Sequence, residues 1–372
     1  MGCTKKKTKV ICENELWIVV NGELLTIHDL HGLHGFFISF HEISDFMKTL
    51  SKSDAVETMN DFGSRRIPFL FIIDFLMKAP IVLPLNNVDQ DNILFDIQGV
   101  CNFTSIPVID IPASLTKIPI SYDRYCTAFE NVASNIWDGN SYLLNLTFPT
   151  QIQMNACLRD IFFLSKAKYK LWVDNQFVVF SPEPFVCIRN QVISSFPMKG
   201  TIDASIEHAP EIILGDEKEL AEHTTIVDLI RNDLSMVASH VQVDSFRYIE
   251  HIITNEKNLL QVSSKISGVL QSNYLSQIGT ILFTMLPAGS VSGAPKNKTV
   301  EIILESEQYD RGYYTGVFGI FNGNGLDSGV MIRFIENIDG TLYYKSGGGI
   351  TSMSKPELEY QEMIDKVYVP VI

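Results

Sequence analysis

"YYTGVFGIFNGNGLDSGVMIRFIENIDGTLYYKS", residues 313–346, decides the fold class. Runs rich in Phe, Ile, Val and Tyr are broken by Asn-Gly pairs at 322–325 and by Asp-Gly at 339–340. These dipeptides supply the positive φ that tight hairpins require, so the stretch is predicted to be a three-strand antiparallel meander. Arg333 falls in "VMIRFIE", mid-strand among apolar residues. A guanidinium so placed needs a partner, and a bidentate carboxylate suits it.

The same grammar extends backwards. "FVCIRNQVISSF" (185–196) reads as a hairpin around Asn190-Gln191, and Ile67–Phe75 as a buried strand. Helical spacing appears in "YDRYCTAFENVASNIWDGN" (122–140), which stops at Gly139. "DEKELAEHTTIVDLIRNDLSMVA" (216–238) opens with Asp216 and Glu219 in capping-box relation, and "SKPELEYQEMIDKVYV" (354–369) with Ser354 and Glu357 in the same relation. Large antiparallel sheets with helices in long connections make the chain α+β. The body is expected to begin near Met59. Residues 1–58 hold four of the eight histidines and little regular pattern, so they read as an N-terminal extension of uncertain order ahead of a domain spanning 59–372.

The 372 residues carry 46% hydrophobic and 19% charged side chains, ample for a globular core. The net charge of −14 excludes a nucleic-acid partner that reads a basic stripe, and obliges any anionic substrate to find local cations, a metal or backbone N–H groups. The six cysteines are scattered without a CxxC pair, as in a reduced compartment. The most apolar run, "IPFLFIIDFLMKAPIVLPL", is interrupted by Asp74 and Lys78, so no membrane span is expected. No apolar stretch of signal-peptide type follows the N-terminal lysines, and the cytoplasm is the default location.

Several clusters could carry chemistry. Glu219 and Glu222 share a helix face at i, i+3, as do Glu359, Glu362 and Lys366 at i, i+3, i+7. Two acidic faces turned to one cavity would hold a hard divalent cation; from spacing alone, two solvated faces are the simpler reading. "GSVSGAPKNKTVEIIL" (289–304) is a Gly-rich loop entering a helix, with Pro295 fit for the first turn, and such an N-terminus attracts anions. "KSGGGITS" (345–352) places three glycines after a strand, where a ligand could approach the backbone. "SSFPMKGTID" (194–203) holds one lysine, Lys199, in a nearly uncharged setting. In an apolar pocket such a lysine becomes a nucleophile or base; on the decapeptide alone, exposure at a strand end is the simpler reading. His223, a lone histidine after Glu222, reads as structural, and no GxSxG or HExxH motif supports hydrolysis.

In order, "SPEPF" (181–185), "PMKGT" (197–201), "KELAEHTTIVDLIRNDL" (218–234), "PAGSVSGAPK" (287–296), "RGYYTGVFG" (311–319), "VMIRF" (330–334), "SGGGI" (346–350) and "SKPELEYQEMIDK" (354–366) resemble the chorismate-utilising enzymes. That family includes aminodeoxychorismate synthase component I and the anthranilate, isochorismate and salicylate synthases. The resemblance covers the C-terminal half strongly and reaches weakly back to about Met59. It implies one large domain of two antiparallel sheets packed face to face with helices outside. It implies Mg²⁺ held by Glu222 and Glu362, with Glu219 and Glu359 close by, neutralising the ring carboxylate of chorismate. It implies a pyruvyl carboxylate held by Arg333, Tyr314 and the backbone of Gly347 and Gly349. Support would come from Lys366, the Gly293–Ala294 amides and Thr201, with Glu183 as an acid near the C4 hydroxyl.

Lys199 discriminates within the family. Anthranilate and salicylate synthases have a small residue at its position, whereas the aminodeoxychorismate enzymes have a lysine thought to attack C2 of chorismate. Isochorismate and salicylate synthases use a base lysine where Leu143 stands here. The resemblance therefore implies amination to 4-amino-4-deoxychorismate on the p-aminobenzoate route, with ammonia from a separate glutamine amidotransferase subunit. Alternatives are an anthranilate synthase large subunit or a non-catalytic chorismate-binding subunit. Gln261, where the family often has histidine, favours an enzyme that stops at the amino product, or the silent subunit. The N-terminal segment lacks the family's feedback-inhibitor motif, so tryptophan control is not expected.

Overall fold

The computed structural model describes residues 17–20, 23–26, 48–109, 114–253 and 258–370. Chain contacts divide the protein into Met1–Lys48 and Thr49–Ile372. In the first unit, strands Trp17–Val20 and Glu23–Thr26 form an antiparallel ribbon; the rest of 1–47, on which the expected extension falls, lies outside the described residues.

The boundary expected at 58/59 is displaced. Helix Lys52–Ser64 runs straight through it, N-capped by Ser51, with Ala55, Met59 and Gly63 buried at i, i+4 spacing. Its apolar stripe meets helix Ile278–Met285, where Gly279 lets the backbones approach and Asn60 Oδ1 accepts from Gly279 N at 2.9 Å. A weakly hydrophobic helix with a polar outer face left little trace in composition, which is why the boundary read ten residues late.

Among the described residues, two antiparallel sheets of nine strands each build the second unit. The first sheet centres on strand Leu143–Met154 against Thr341–Ile350, in register from Leu144↔Ile350 to Ile152↔Leu342. The second centres on Pro184–Arg189 between Val192–Ser195 and Leu326–Val330, with Phe69–Ile73 buried throughout. The sheets touch where the Tyr169 ring fills the space over Gly329, within ring contact of Phe318. Helices Tyr122–Trp137, Lys296–Glu307 and Pro356–Asp365 cover the first sheet; Lys52–Ser64, Glu217–Ser235 and Ile278–Met285 cover the second.

The stretch 313–346 is not a single meander. Val317–Phe321 and Leu326–Val330 form a hairpin in the second sheet, while Phe334–Ile338 and Thr341–Ile350 form one in the first. The chain changes sheets at Met331–Arg333, and Arg333 turns with φ +52° instead of continuing a strand. A non-glycine residue at positive φ is uncommon, so an apolar run without Gly or Pro concealed the corner. The hairpin at Asn190-Gln191 is as expected, both residues at positive φ, and helix Tyr122–Trp137 ends with Gly139 at φ +75°. The last helix starts one residue beyond the expected cap: Lys355 is the N-cap with Pro356 in the first turn, and Ser354 Oγ accepts from Thr351 N instead.

Candidate active site

One cleft of about 470 Å³ opens between the sheets' ends, floored by the glycines of strand Thr341–Ile350 and walled by the two acidic helices. Strand Met198–Asp203 brings Lys199 and Thr201; helix Glu217–Ser235 brings Lys218, Glu219 and Glu222; helix Pro356–Asp365 brings Glu359 and Glu362, and its C-cap is Lys366. Glu183, Tyr314, Arg333, Gly347 and Gly349 also line it. Gly293 and Ala294 do not: they pair as a short strand with Leu144 and Leu143, and their loop reaches the cleft through Ser290 and Val291. Pro295 is the N-cap of the following helix.

Lys199 sits among carboxylates, not in the apolar pocket expected for it. An ideal Cβ on Gly349 would lie 3.5 Å from Lys199 Nζ and 3.9 Å from Glu222 Oε2, so ammonium and carboxylate flank one point over that glycine. Leu143 Cδ1 lies 3.1 Å from the same point, putting an apolar methyl where the resemblance implied a base lysine in other members. Glu219 Oε2 is 3.2 Å from the corresponding point on Gly200. Asp216 accepts from Glu219 N at 2.8 Å as the helix cap, while the Glu219 carboxylate turns to the strand bearing Lys199 instead of closing the box.

The acids are tuned by their surroundings. Burial pushes Glu219 and Glu222 above the ordinary carboxylate range, with Lys199 opposing. Burial also raises Glu183, against the Ser290 hydroxyl that donates to it and the charges of Lys199, Arg333 and Lys366. At Glu362 burial loses to Lys366, whose Nζ lies 2.5 Å away, and the carboxyl is held low. Lys366 also donates to Gly347 O at 2.9 Å. Gly347 must be glycine, because a Cβ there would lie 2.1 Å from Leu146 O on the neighbouring strand. The Arg333 guanidinium stacks 5.0 Å over Tyr368, and among the described residues no carboxylate pairs with it, so its charge serves the cleft. His223 is buried with Nε2 2.6 Å from Ser264 Oγ, the structural role expected of it.

Sequence reasoning passed over Ser290, which bonds the candidate acid, and Lys218, although Lys218–Glu222 is a legible i, i+4 pair. Gln261 faces Thr201 directly across the strand pair and lines the cleft.

On a two-sheet α+β scaffold, acids and bases thus converge on a glycine floor. The chain belongs to the chorismate binding enzyme family, whose model matches residues 110–371. It is 51% identical over 316 residues to an "uncharacterized PabA-like protein" of Haemophilus influenzae, covering 85% of this chain and 96% of the relative. It is 31% identical over 265 residues to aminodeoxychorismate synthase component 1 of Bacillus subtilis, covering 67% of this chain and 55% of that protein. The fold is similar to the menaquinone-specific isochorismate synthase of Escherichia coli, with a TM-score of 0.66 and 15% identity over 86% of this chain and 82% of that one. Among the described residues no helix is long and apolar enough to cross a membrane.

Proposed function

We propose that this chorismate-utilising enzyme aminates chorismate to 4-amino-4-deoxychorismate in the cytoplasm, with ammonia delivered by a glutamine amidotransferase subunit. The observation that carries this is the Lys199 amine inside the cleft, flanking with Glu222 one point above Gly349. The similarity to an aminodeoxychorismate synthase component 1 supports it.

Lys199 adds to C2 of the ring as the C4 hydroxyl leaves with the proton of Glu183. Ammonia then adds at C4, the lysine nitrogen leaves C2, and water is the only by-product. An amine nucleophile divides one difficult displacement into two easier ones. Burial raises the Glu183 carboxyl, which favours the acid form the first step needs, and Glu219 lies beside Lys199 to take up its proton. Leu143 gives water no base, which supports amination over hydration. Arg333 and Tyr314 hold the pyruvyl carboxylate, with Lys366 closing over Gly347.

Among the described residues no three acidic, histidine or cysteine side chains form a ready-made cation cage. The donor set nevertheless fits Mg²⁺, which uses one or two carboxylates with waters and substrate. The Lys218 ammonium already stands as a cation against Glu222 and Glu359. Glu222 and Glu362 would hold the ion, with Glu219 and Glu359 beside them. When bound it neutralises the ring carboxylate of chorismate against the acidic walls. Incubating the protein with chorismate, Mg²⁺ and ammonium, then adding a lyase, should release p-aminobenzoate. Anthranilate or salicylate as the main product would overturn the proposal.

A further inference from the structure

Lys218 has no part in the chemistry above, yet it is placed with care. It stands one turn before Glu222, and its Nζ lies 3.2 Å from Glu359 Oε1 and 3.8 Å from Glu222 Oε1, tying the two acidic helices together across the cleft. Both carboxylates are buried, Glu359 at 2% exposure and Glu222 at 7%. Among the described residues no other cation stands within ion-pair distance of either, although the Lys199 charge also acts on Glu222. The Lys218 side chain itself is 38% exposed, so its long stem lies at the rim with solvent behind it.

We propose that Lys218 is a displaceable internal cation of the metal site. It satisfies Glu222 and Glu359 when no divalent ion is bound, and swings into solvent when one enters. This rests on reading Glu222 and Glu362 as the Mg²⁺ ligands, with Glu359 beside them. Two buried carboxylates without a counter-ion are costly, and the ammonium meets that cost in the metal-free protein. A divalent ion held by Glu222, with Glu359 beside it, would stand a few ångströms from the ammonium, and like charges at that separation repel strongly. Glu362 has its own partner in Lys366, which also anchors to Gly347 O and is therefore held in place. Among the described residues Lys218 bonds only to the two acids, so it is the cation free to leave. Metal entry thereby removes the Lys218 tie between the helix bearing Glu222 and the helix bearing Glu359.

The test uses the substrate-free protein and Mn²⁺ as a spectroscopic probe, with Mg²⁺ as competitor. Free Mn²⁺ measured by electron paramagnetic resonance should show Lys218→Met binding about fivefold tighter than wild type, the loss of one competing ion pair. On the wild-type protein, a pulse of amine-acylating reagent read by mass spectrometry should modify Lys218 severalfold more with Mg²⁺ present. Lys298, paired with Glu301 alone, should be unchanged. The second measurement decides the matter if the variant fails to fold. Equal Mn²⁺ affinity in the two proteins, or Lys218 labelling that stays constant or falls with Mg²⁺, overturns the proposal while leaving the metal site standing. Absence of Mn²⁺ binding in both overturns the metal site and this inference together.

Discussion

Arg311 is the most consequential residue outside the reacting groups, and its replacement by methionine tests the account of how the cleft is held. Its side chain is 1% exposed and donates to Glu307 Oε1 and Oε2 at 2.6 and 2.9 Å, to Asn145 O at 2.6 Å, to Val291 O at 2.9 Å and to Thr315 Oγ1 at 3.2 Å. It also stacks 4.6 Å from the Phe75 ring. Glu307, equally buried, accepts from Thr147 N and Oγ1. Arg311→Met leaves a buried carboxylate without its cation, which costs about 3–5 kcal/mol. Two carbonyls lose their donor as well, adding about 1 kcal/mol each. The expected loss of about 5 kcal/mol or more is a large share of a typical domain's stability. Glu307→Gln in the same chain removes the stranded charge while keeping an acceptor for Thr147, so the double variant should regain about 2–3 kcal/mol over Arg311→Met. Urea unfolding followed by circular dichroism for the wild type, both single variants and the double variant measures the cycle. A single-variant cost below about 1 kcal/mol, or strict additivity in the double, would refute the buried-pair argument.

Lys199→Ala should reduce formation of the amino product by about 10³-fold, the scale of a lost nucleophile. Chorismate affinity measured by calorimetry should change less than threefold, and retained turnover would redirect the assignment towards anthranilate. Ser290→Ala removes a donor that favours the charged form of Glu183, so the carboxyl should titrate higher. Glu183 must be protonated to act, so the falling alkaline limb of kcat/KM should move to higher pH, and an unmoved limb would exclude Glu183 as the acid. Gly349→Ala places a methyl between Lys199, Glu222 and Leu143; kcat/KM should drop by about 10²-fold, while Leu143 yields a few tenths of an ångström at about 1 kcal/mol of stability in a urea melt.

Local chemistry made much of the fold legible. Asn190-Gln191, Gly139 and the Asp-Gly pair at 339–340 announced turns and a helix end, because only certain residues tolerate those backbone angles. The motif order brought the correct acidic helices and Lys199 to one cleft. Long-range partnerships were not legible. Nothing in "VMIRF" says that Val330 and Phe334 belong to different sheets, since that is settled by what each flanking hairpin packs against. Gly293 and Ala294 looked like anion-binding amides, but their N–H and C=O groups lie against strand Leu143–Met154, a choice made by a segment 150 residues away. The polar surroundings of Lys199 escaped notice for the same reason: its neighbours in the chain are apolar, its neighbours in space are acidic.

The corner at Met331–Arg333 has a mechanical meaning. Here a single peptide segment stitches both layers of the sandwich, and the stitch carries a guanidinium that lines the cleft. Any sliding of one layer over the other must drag this charge out of register with Lys366 and the glycine floor. An anion held at Arg333, as proposed, would act as a rivet through both layers and stiffen the scaffold around the cleft.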